Sequence, residues 1–468
     1  YLPVCQYPFK ANCVKMCFLP TETLMKPTTP MTAFQARRKQ LLQSIGEAIL
    51  ILPAAPEQTR NRDCHYPYRQ DSDFLYLSNF NEPSAIMVLD GKNQQSILFS
   101  KPYDELYTIW EGEIIGQQRA EDEYLFDKAY EIDKFNEQLL ACFYAFDTVI
   151  SPFGRYLDFD ANLLKQMKTA KETRRARAPQ NWLHSDQFIH PMRLCKDKHE
   201  IANMQYASAI SAKAHNAAMQ ATQPGMNEAQ IQAIFDQHFG QAGGEHAYNA
   251  IVAGGNNACT LHYTVNNAQL LDGDLLLIDA GCEINGYAAD ITRTFPVNGR
   301  FTTLQKRVYE WVLKALEAAL AACQPGNHIR SPHFAAEAVL IDAMLDLGLL
   351  SGTRESVQDD NSYQRYFMHG TSHWLGIDVH DVGDYKDENG EWLKLLPGMV
   401  ITVEPGLYIR KDDKNAPAGL RGIGIRIEDN VVINDNGYQN LSLATPKSVA
   451  EIEASNAVVP IHTSGSNH

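Results

Sequence analysis

Residues 275–295 have the sequence LLLIDAGCEINGYAADITRTF, in which two apolar runs are joined by Asn285-Gly286. An Asn-Gly pair between apolar runs is the strongest short-range signal for a two-residue β-hairpin turn. We therefore predict strands over Leu275–Ala280 and Ala288–Phe295 that pair as an antiparallel hairpin. This hairpin contains two candidate metal ligands, Asp279 and Asp290.

The register of this hairpin brings the two carboxylates together. With the turn at the Asn-Gly pair, Asp279 lies opposite Thr292 and Asp290 lies opposite Gly281. Residues two apart on a strand share a face, so Asp290 shares the face of Thr292 and of Asp279. Diagonal neighbours of this kind are roughly 7–8 Å apart at the backbone. Two metal ions about 3.5–4 Å apart could be bridged by carboxylates at that spacing.

A single Asp at this point in a strand more often ends the strand or satisfies a turn. The surroundings of Asp279 and Asp290 are strongly apolar, however. Two unpaired carboxylates on one buried face would repel each other and shift their pKa values. We therefore predict that positive charge lies between them.

The composition excludes several classes of function. The chain has 468 residues, 44% hydrophobic and 21% charged, as in a globular protein. Its formal net charge of −15 makes nucleic acid and anionic membranes poor partners. There is no run of about 18 apolar residues, so we predict no membrane span. Nine cysteines without a Cys-x-x-Cys pair are typical of a reducing compartment, so we expect a cytoplasmic protein.

The sequence changes character near Lys196, which predicts two domains. Residues 31–194 alternate strands with helices, which is typical of an α/β domain. Residues 195–455 combine long helices with strands, which predicts an α+β domain with a curved antiparallel sheet covered by helices. We expect residues 1–30 to form a poorly ordered extension and residues 456–468 to form a tail.

Several local predictions concern the surroundings of the site. We predict an acidic helix at Ala120–Tyr130 and a long amphipathic helix at Lys198–Ala221. We also predict strands at Gly376–His380 and Ile423–Ile433. The segment Tyr66–Phe74 is rich in aromatic and charged residues for a loop, which indicates an interface.

The second half of the chain contains more residues of the types that bind metals or substrates. They are His369, His373 and His380 in a Gly/Ser-containing region, Glu404 at the end of an apolar strand, and Arg426 and Glu428 on one face of the run GIGIRIED (422–429). A lone core His is usually only hydrogen-bonded, and a lone Glu at a strand end is usually solvated. The aspartates of the hairpin and the two glutamates together carry four negative charges, which two divalent ions would balance.

A donor set of this kind favours particular metals and a particular chemistry. Carboxylates with one imidazole favour harder ions such as manganese over the zinc of a thiolate site. A water that bridges two metals ionises near neutral pH and becomes a nucleophile, while the metals polarise a carbonyl. These are the requirements of amide hydrolysis. We expect His262 and His380 to donate hydrogen bonds to the developing oxyanion.

Several motifs resemble those of a known family. They are DITRTFP (290–296), HGTSHWLG (369–376), VHDVG (379–383), GIGIRIED (422–429) and, in the first domain, YPYRQDSDF (66–74). These motifs and the order of the five acidic and histidine ligands resemble the pita-bread metallopeptidases, which include methionine aminopeptidase, prolidase, aminopeptidase P and creatinase. The sequence is most similar to the bacterial aminopeptidase P branch. The resemblance covers roughly residues 34–455.

The resemblance implies a fold, an activity and a metal centre. The second domain would have the pita-bread fold and would remove an N-terminal residue that precedes proline, using a hydroxide that bridges two manganese ions. The implied metal ligands are Asp279, Asp290, His373, Glu404 and Glu428. Glu404 would also shuttle a proton. The chain would assemble as a homo-oligomer, either a tetramer or a dimer and most simply a tetramer, to which the first domains contribute contacts.

The resemblance also implies roles for other residues. His262, His369 and His380 would bind substrate and stabilise the transition state. Arg426 would be an outer-shell group or a partner of the substrate carboxylate, and Tyr408 would support the site. The sequence departs from the family pattern only in residues 1–30 and in the loop 384–394. Neither segment contains a ligand.

Two alternatives remain open from the sequence. A prolidase would use the same metals but would cleave only Xaa-Pro dipeptides. A relative without activity would act as a binding module, but such relatives lose metal ligands, and this chain has a suitable residue at all five positions. Nothing in the ligand set itself specifies proline, so that preference depends on the resemblance.

Overall fold

A computed structural model describes residues 25–172 and 178–455 of the chain. Most of the predicted N-terminal extension, residues 1–24, and the predicted tail, residues 456–468, lie outside the described residues. The described end of the extension contacts the second domain. Lys26 Nζ donates a hydrogen bond to the carbonyl of Gly243 at 2.8 Å, and Asn285 Nδ2 donates one to the carbonyl of Pro27 at 3.0 Å.

The first domain contains a mixed sheet between two layers of helices. Its strands are β1 (Ile49–Pro53), β2 (Thr59–Asn61), β3 (Cys64–His65), β4 (Ile86–Asp90), β5 (Gln95–Ser100), β6 (Lys128–Glu131), β7 (Thr148–Ser151) and β8 (Asn181–His184). Its α-helices are α1 (Met31–Ile45), α2 (Ser72–Ser78), α3 (Glu105–Glu111), α4 (Gly116–Asp122), α5 (Phe135–Ala145), α6 (Leu157–Glu172) and α7 (Asp186–Leu194). The main sheet has the strand order β6-β5-β4-β1-β7-β8.

The central strand β1 shows why this domain has three layers. All five of its residues are buried. Leu50 and Leu52 point into the apolar cluster that includes α1 and α2, whereas Ile49 and Ile51 point into the cluster that includes α5 and α6. Alternate residues of a strand point to opposite faces, so a strand that is apolar on both sides needs helices on both faces. The predicted α/β domain is confirmed.

The second domain contains antiparallel strands covered by long helices. Its α-helices are α8 (Lys198–Ala221), α9 (Glu228–Gln241), α10 (Thr303–Ala322), α11 (Ser331–Asp346), α12 (Arg354–Asp359) and α13 (Val449–Ser455). Its strands are β9 (Glu245–His246), β10 (Ile251–Gly254), β11 (Leu275–Asp279), β12 (Cys282–Ile284), β13 (Tyr287–Ala288), β14 (Thr292–Pro296), β15 (Val400–Val403), β16 (Gly406–Ile409), β17 (Ile423–Arg426), β18 (Asp429–Asn434) and β19 (Gly437–Asn440). Every strand pair described in this domain is antiparallel, as predicted.

The predicted hairpin is present with the predicted register. Asp279 pairs with Thr292, and Ile284 pairs with Tyr287 beside the turn. Both turn residues have positive φ angles, 51° for Asn285 and 84° for Gly286, as a type I′ turn requires. The hairpin thus follows directly from local turn chemistry.

Two predicted continuous strands are wrong in the same way. The strand predicted over Ala288–Phe295 is divided into β13 and β14, with Asp290 in the gap. The strand predicted over Ile423–Ile433 is divided into β17 and β18, with Glu428 in the gap. Gly281 permits the first gap, because a Cβ atom there would lie 1.7 Å from the carbonyl oxygen of Ala289. Because of these breaks, the side chains of Asp290 and Glu428 do not follow the alternation between the two faces of a strand.

Two other predicted elements are also wrong. The helix predicted over Ala120–Tyr130 ends at Asp122, because Leu125 has a left-handed φ of 57° and the following residues form the edge strand β6. The strand predicted over Gly376–His380 is an irregular loop. Side chains of the first domain, including one from α7, hold this loop, as described below.

None of the helices within residues 25–172 and 178–455 combines the length and the apolar character that crossing a membrane requires.

The predicted long helix at Lys198–Ala221 is confirmed and is capped by Asp197, whose side chain accepts hydrogen bonds from the backbone of His199 and Glu200. On its buried side, His215 Nε2 donates a hydrogen bond to the carbonyl of Ala280 at 3.0 Å, just after β11. This contact fastens α8 to the strand that carries Asp279.

Candidate metal centre and active site

One cavity of about 480 Å³ in the second domain collects all the candidate site residues predicted from the sequence. Each acidic residue projects from a point where a strand ends or is broken. The predicted residues that line the cavity are Asp279, Asp290, His262, His369, His373, His380, Glu404, Arg426 and Glu428. The four acidic side chains come from four different strand ends, so the folded sheet brings together residues that lie far apart in the sequence.

The two strand gaps are held in place by specific hydrogen bonds. Asn430 clamps the backbone of Asp290, because its side-chain oxygen accepts from Asp290 N at 2.9 Å and its amide donates to Asp290 O. The backbone N–H of Glu428 donates to the carbonyl of Thr292 at 3.0 Å. These contacts satisfy backbone groups that the broken ladder leaves free. They also fix the directions of two candidate ligands.

His373 is oriented as a metal ligand would be. Its Nδ1–H donates to the carbonyl of Trp374 at 2.9 Å, which fixes the ring and leaves Nε2 directed at the carboxylates. Nε2 lies 3.4 Å from Asp290 Oδ2 and 3.7 Å from Glu404 Oε1. One ligand atom each from Asp290, His373 and Glu428 lie within 4.8 Å of one another. An ion placed among them would have three ligands.

Tyr248 is a site residue that the sequence did not reveal. Its hydroxyl lies 2.6 Å from Asp279 Oδ1 and 2.6 Å from Asp290 Oδ1. A hydroxyl has one proton and can donate to only one carboxylate at a time, so the two aspartates share it. The residue precedes β10, which pairs with β11 opposite Asp279. Only that pairing, which local patterns do not predict, would have pointed to Tyr248.

Arg426 and Thr292 connect two of the acidic residues that line the cavity. Arg426 Nη2 donates to Asp279 Oδ2 at 2.6 Å, and its Nε donates to Thr292 Oγ1 at 3.1 Å. The Thr292 hydroxyl donates to Glu428 Oε2 at 2.7 Å. The guanidinium therefore supplies a fixed positive charge to a group of buried carboxylates.

A second chain of hydrogen bonds leads from Arg426 to His369. Arg426 Nη1 donates to the Tyr408 hydroxyl at 3.0 Å. Tyr408 lies 2.8 Å from His369 Nε2, and His369 Nδ1 lies 2.7 Å from the carbonyl of Gly370. Because a carbonyl only accepts, Nδ1 carries the proton and Nε2 accepts from Tyr408. The structure therefore holds His369 in one tautomer.

The other two histidines lie at the open side of the cavity. His262 and His380 are exposed and line the cavity wall. The ring of His380 meets the ring of His373 edge-to-face, with 4.3 Å between centroids. Partial burial of the ring, together with the nearby His373, lowers the pKa of His380, and a neutral imidazole retains one N–H donor.

The carboxylates of the cavity have pKa values that indicate a need for cations. Burial raises the pKa of Glu404 to about 7 and raises the pKa of Glu428 well above its ordinary value. Burial also raises the pKa of Asp279, against the opposing charge of Arg426. Burial opposes the ionisation of Asp290 too, but the hydrogen bond and charge of His373 lower its pKa. Divalent ions would allow all four to ionise, so the donor set fits a dinuclear metal centre.

Comparison with known proteins identifies the class. The family model for the aminopeptidase P N-terminal domain matches residues 34–149. The model for metallopeptidase family M24 matches residues 202–435. The chain therefore belongs to metallopeptidase family M24. It is 42% identical over 429 residues to the Xaa-Pro aminopeptidase of Escherichia coli strain K12, covering 90% of this chain and 96% of that enzyme.

Solved structures agree with these matches. The aminopeptidase PepP of Pseudomonas aeruginosa has a TM-score of 0.89 at 43% identity, covering 91% of this chain and 98% of that one. Aminopeptidase P from E. coli with the inhibitor Pro-Leu has a TM-score of 0.87 at 41% identity, with 91% and 98% covered. The expected pita-bread fold and the resemblance to bacterial aminopeptidase P are confirmed.

Proposed function

We propose that this protein is a metal-dependent Xaa-Pro aminopeptidase, which releases the first residue of a peptide whose second residue is proline. The observation that supports this most is the convergence of four carboxylates, three of them buried, and one oriented imidazole on a single cavity that is also lined by His262 and His380. The relatives with the same architecture are named Xaa-Pro aminopeptidases. A prolidase activity has no such support.

Asp279, Asp290, His373, Glu404 and Glu428 would hold two divalent metal ions. When bound, such ions supply an activated water and polarise the scissile carbonyl. We propose manganese as the metal, because an oxygen-rich donor set with one imidazole suits a harder ion than a thiolate site does. Tyr248, Thr292 and Arg426 keep the carboxylates in place through the hydrogen bonds described above.

Glu404 is proposed as the group that moves a proton. Glu404 follows β15 directly, and its backbone N–H donates to the carbonyl of Thr371 at 2.8 Å. Its Oε1 lies 3.7 Å from His373 Nε2 and its Oε2 lies 3.8 Å from His369 Nδ1, so the carboxylate faces the cavity. A carboxylate positioned there can accept a proton at one stage of hydrolysis and return it to the departing proline nitrogen.

The three cavity histidines are proposed to act on the substrate. His262 and His380 lie on the open side, where a ring N–H can donate to an oxygen that gains charge in the transition state. His369 has both ring nitrogens engaged, so its contribution is a fixed wall of the pocket. Arg426 lies in the cavity wall and stabilises the carboxylates.

Proline in the second position has a chemical consequence. A peptide bond to proline is a tertiary amide with no N–H to donate, and its ring needs an apolar or aromatic wall. The three histidine rings, together with Ile251 and Val379, line such a cavity here. The complex of the E. coli relative with Pro-Leu supports this choice. Pro-Leu begins with proline, as does the peptide that remains after the first residue of an Xaa-Pro substrate is released.

We also propose a homotetramer located in the cytoplasm. Helix α3 has no buried residue, and it exposes Leu106, Ile109 and Trp110 by 71%, 72% and 84%. Such a contiguous apolar surface is typical of a contact between proteins, which supports self-association. The segment Tyr66–Phe74 contacts the second domain of the same chain through Arg69 and Ser72.

The six cysteines of the described residues are free, which supports a reducing compartment.

The proposed substrate class is tested with matched peptides. Initial rates are measured on an Xaa-Pro dipeptide, an Xaa-Pro-Yaa tripeptide and an Xaa-Ala-Yaa tripeptide, after dialysis and addition of metal. We expect the Xaa-Pro-Yaa peptide to be cleaved and the Xaa-Ala-Yaa peptide to resist. Cleavage of the dipeptide alone would identify a prolidase and contradict the proposal.

A further inference from the structure

The loop 376–383, called here the His380 loop, brings Val379 and His380 to the cavity without a strand to hold it. Few backbone hydrogen bonds fix its shape. Asp381 N donates to the carbonyl of Trp374 at 2.9 Å, and Gly376 O accepts from Ala288 N at 2.8 Å. The position of His380 must therefore depend on side-chain contacts.

A buried ionic cluster fastens the loop on both sides of His380. Arg193 of α7 donates from Nη2 to Asp378 Oδ2 at 2.8 Å and to Asp381 Oδ1 at 2.5 Å. Lys196 Nζ donates to Asp381 Oδ2 at 2.9 Å. The side chains of Arg193, Lys196 and Asp381 are at most 2% exposed. Buried charge-assisted hydrogen bonds of this kind restrict geometry strongly.

The first domain completes the same cluster. Asp73 at the start of α2 accepts from Arg193 Nη1 at 2.7 Å, so the same guanidinium binds both α2 and the His380 loop. The neighbouring Ser72 hydroxyl donates to Asp378 Oδ1 at 2.6 Å. Arg69 Nη2 donates to the carbonyl of Ile377 at 2.9 Å. Arg69 and Ser72 thus contact the loop that carries His380 directly, and Asp73 is linked to it through Arg193.

Each carboxylate of the cluster has a cationic partner among the protein's own side chains. Arg155, Arg193 and Lys196 face Asp73, Asp378 and Asp381. Asp73 also lies near Asp186 and His190 at a spacing that could hold an ion. Its two oxygens, however, accept from Arg193 and from Arg155 Nη1 at 2.8 Å. The cluster is therefore a link between the domains and has no free carboxylate for a cation.

We propose that Arg193, with Asp73, Asp378 and Asp381, positions His380, so that the first domain sets the turnover of a site located wholly in the second. The inference rests on the proposed function, since it requires His380 to act on the substrate. A catalytic donor must be held closely, because a displacement of about 1 Å can reduce a rate by about 10²-fold. Arg193 is thus a positioning residue for the reaction.

Two arginines bound to the same aspartate provide a matched test. Arg193→Gln removes the guanidinium that reaches the His380 loop, whereas Arg155→Gln removes one that contacts Asp73, Asp71 and Asp186 but not the loop. We expect kcat on an Xaa-Pro-Yaa peptide to fall at least about 10-fold in Arg193→Gln and to stay within about twofold in Arg155→Gln. KM should change little in either, and both should retain the wild-type metal content.

A double mutant separates positioning from general damage. In a His380→Ala background, Arg193→Gln should reduce kcat no further, because the group that it positions is gone. A wild-type kcat in folded Arg193→Gln, or the same proportional loss with and without His380, overturns the inference. If Arg193→Gln does not fold, the milder Asp378→Asn is judged by the same criteria. Wild-type protein that fails to cleave the peptide would instead contradict the proposed function.

Discussion

Three of the cavity histidines, His262, His373 and His380, are expected to divide into one metal ligand and two substrate-binding groups. The variants His373→Ala, His262→Ala and His380→Ala each remove one imidazole from the cavity. His373 Nε2 lies 3.4 Å and 3.7 Å from two candidate ligand oxygens, so its loss should remove metal as well as activity. His262 and His380 line the open side, so their loss should leave both metals bound.

The expected size of the effect follows from the role of each group. A donor to an oxyanion stabilises charge that exists only in the transition state. Losing one typically costs about 10²–10³ in kcat, or roughly 3–4 kcal/mol. His262→Ala and His380→Ala should therefore lose this much kcat, with a smaller change in KM. His373→Ala should lose at least as much and should bind fewer than two metals per chain.

The assay combines elemental mass spectrometry with steady-state kinetics on one Xaa-Pro-Yaa peptide. The exposed His65, which lies in β3 of the first domain, provides the control His65→Ala, which should keep full activity and metal. The division of roles is wrong if His380→Ala or His262→Ala is depleted of metal. It is also wrong if His373→Ala retains both ions.

Three other expected outcomes test separate parts of the account. Glu404→Gln keeps the shape of the side chain but loses the proton carrier, so kcat should fall at least about 10²-fold, and a near-normal kcat would assign the proton transfer elsewhere. Burial lowers the pKa of His215 to about 3 in the folded protein, from 6.5 in the unfolded chain. Stability from this group is therefore present above pH 6.5 and is lost as the pH falls towards 3, at up to about 1.4 kcal/mol per pH unit. Urea unfolding across that window should show a shallower pH dependence in His215→Leu, and an unchanged slope would refute this. Light scattering should give a mass near four times the formula mass of 52.5 kDa, whereas a fully active monomer would contradict the tetramer.

Local sequence patterns were sufficient to predict the hairpin and its register. The Asn285-Gly286 pair has the positive φ angles that a type I′ turn needs, and the pairing of Asp279 with Thr292 follows from it. The helix Lys198–Ala221 has its capping box at the predicted start. These features depend on residues close together in the chain, which is why the sequence predicts them.

Features that depend on distant contacts were not predictable. Tyr248 reaches the aspartates only because β10 pairs with β11. The segment Gly376–His380 alternates as a strand would, but bonds from Arg69, Ser72 and Arg193 hold it as a loop. The gaps around Asp290 and Glu428 likewise depend on Asn430 and Thr292, which come from other strands.

The central claim is that metal ions held by these carboxylates are required to cleave the bond before proline. The most direct measurement identifies the products of an Xaa-Pro-Yaa peptide by mass spectrometry, for protein after exhaustive chelation and after manganese is restored. The account predicts free Xaa and intact Pro-Yaa only from the restored protein, with two metals per chain. Full cleavage by chelated protein in which elemental analysis detects no metal would contradict it.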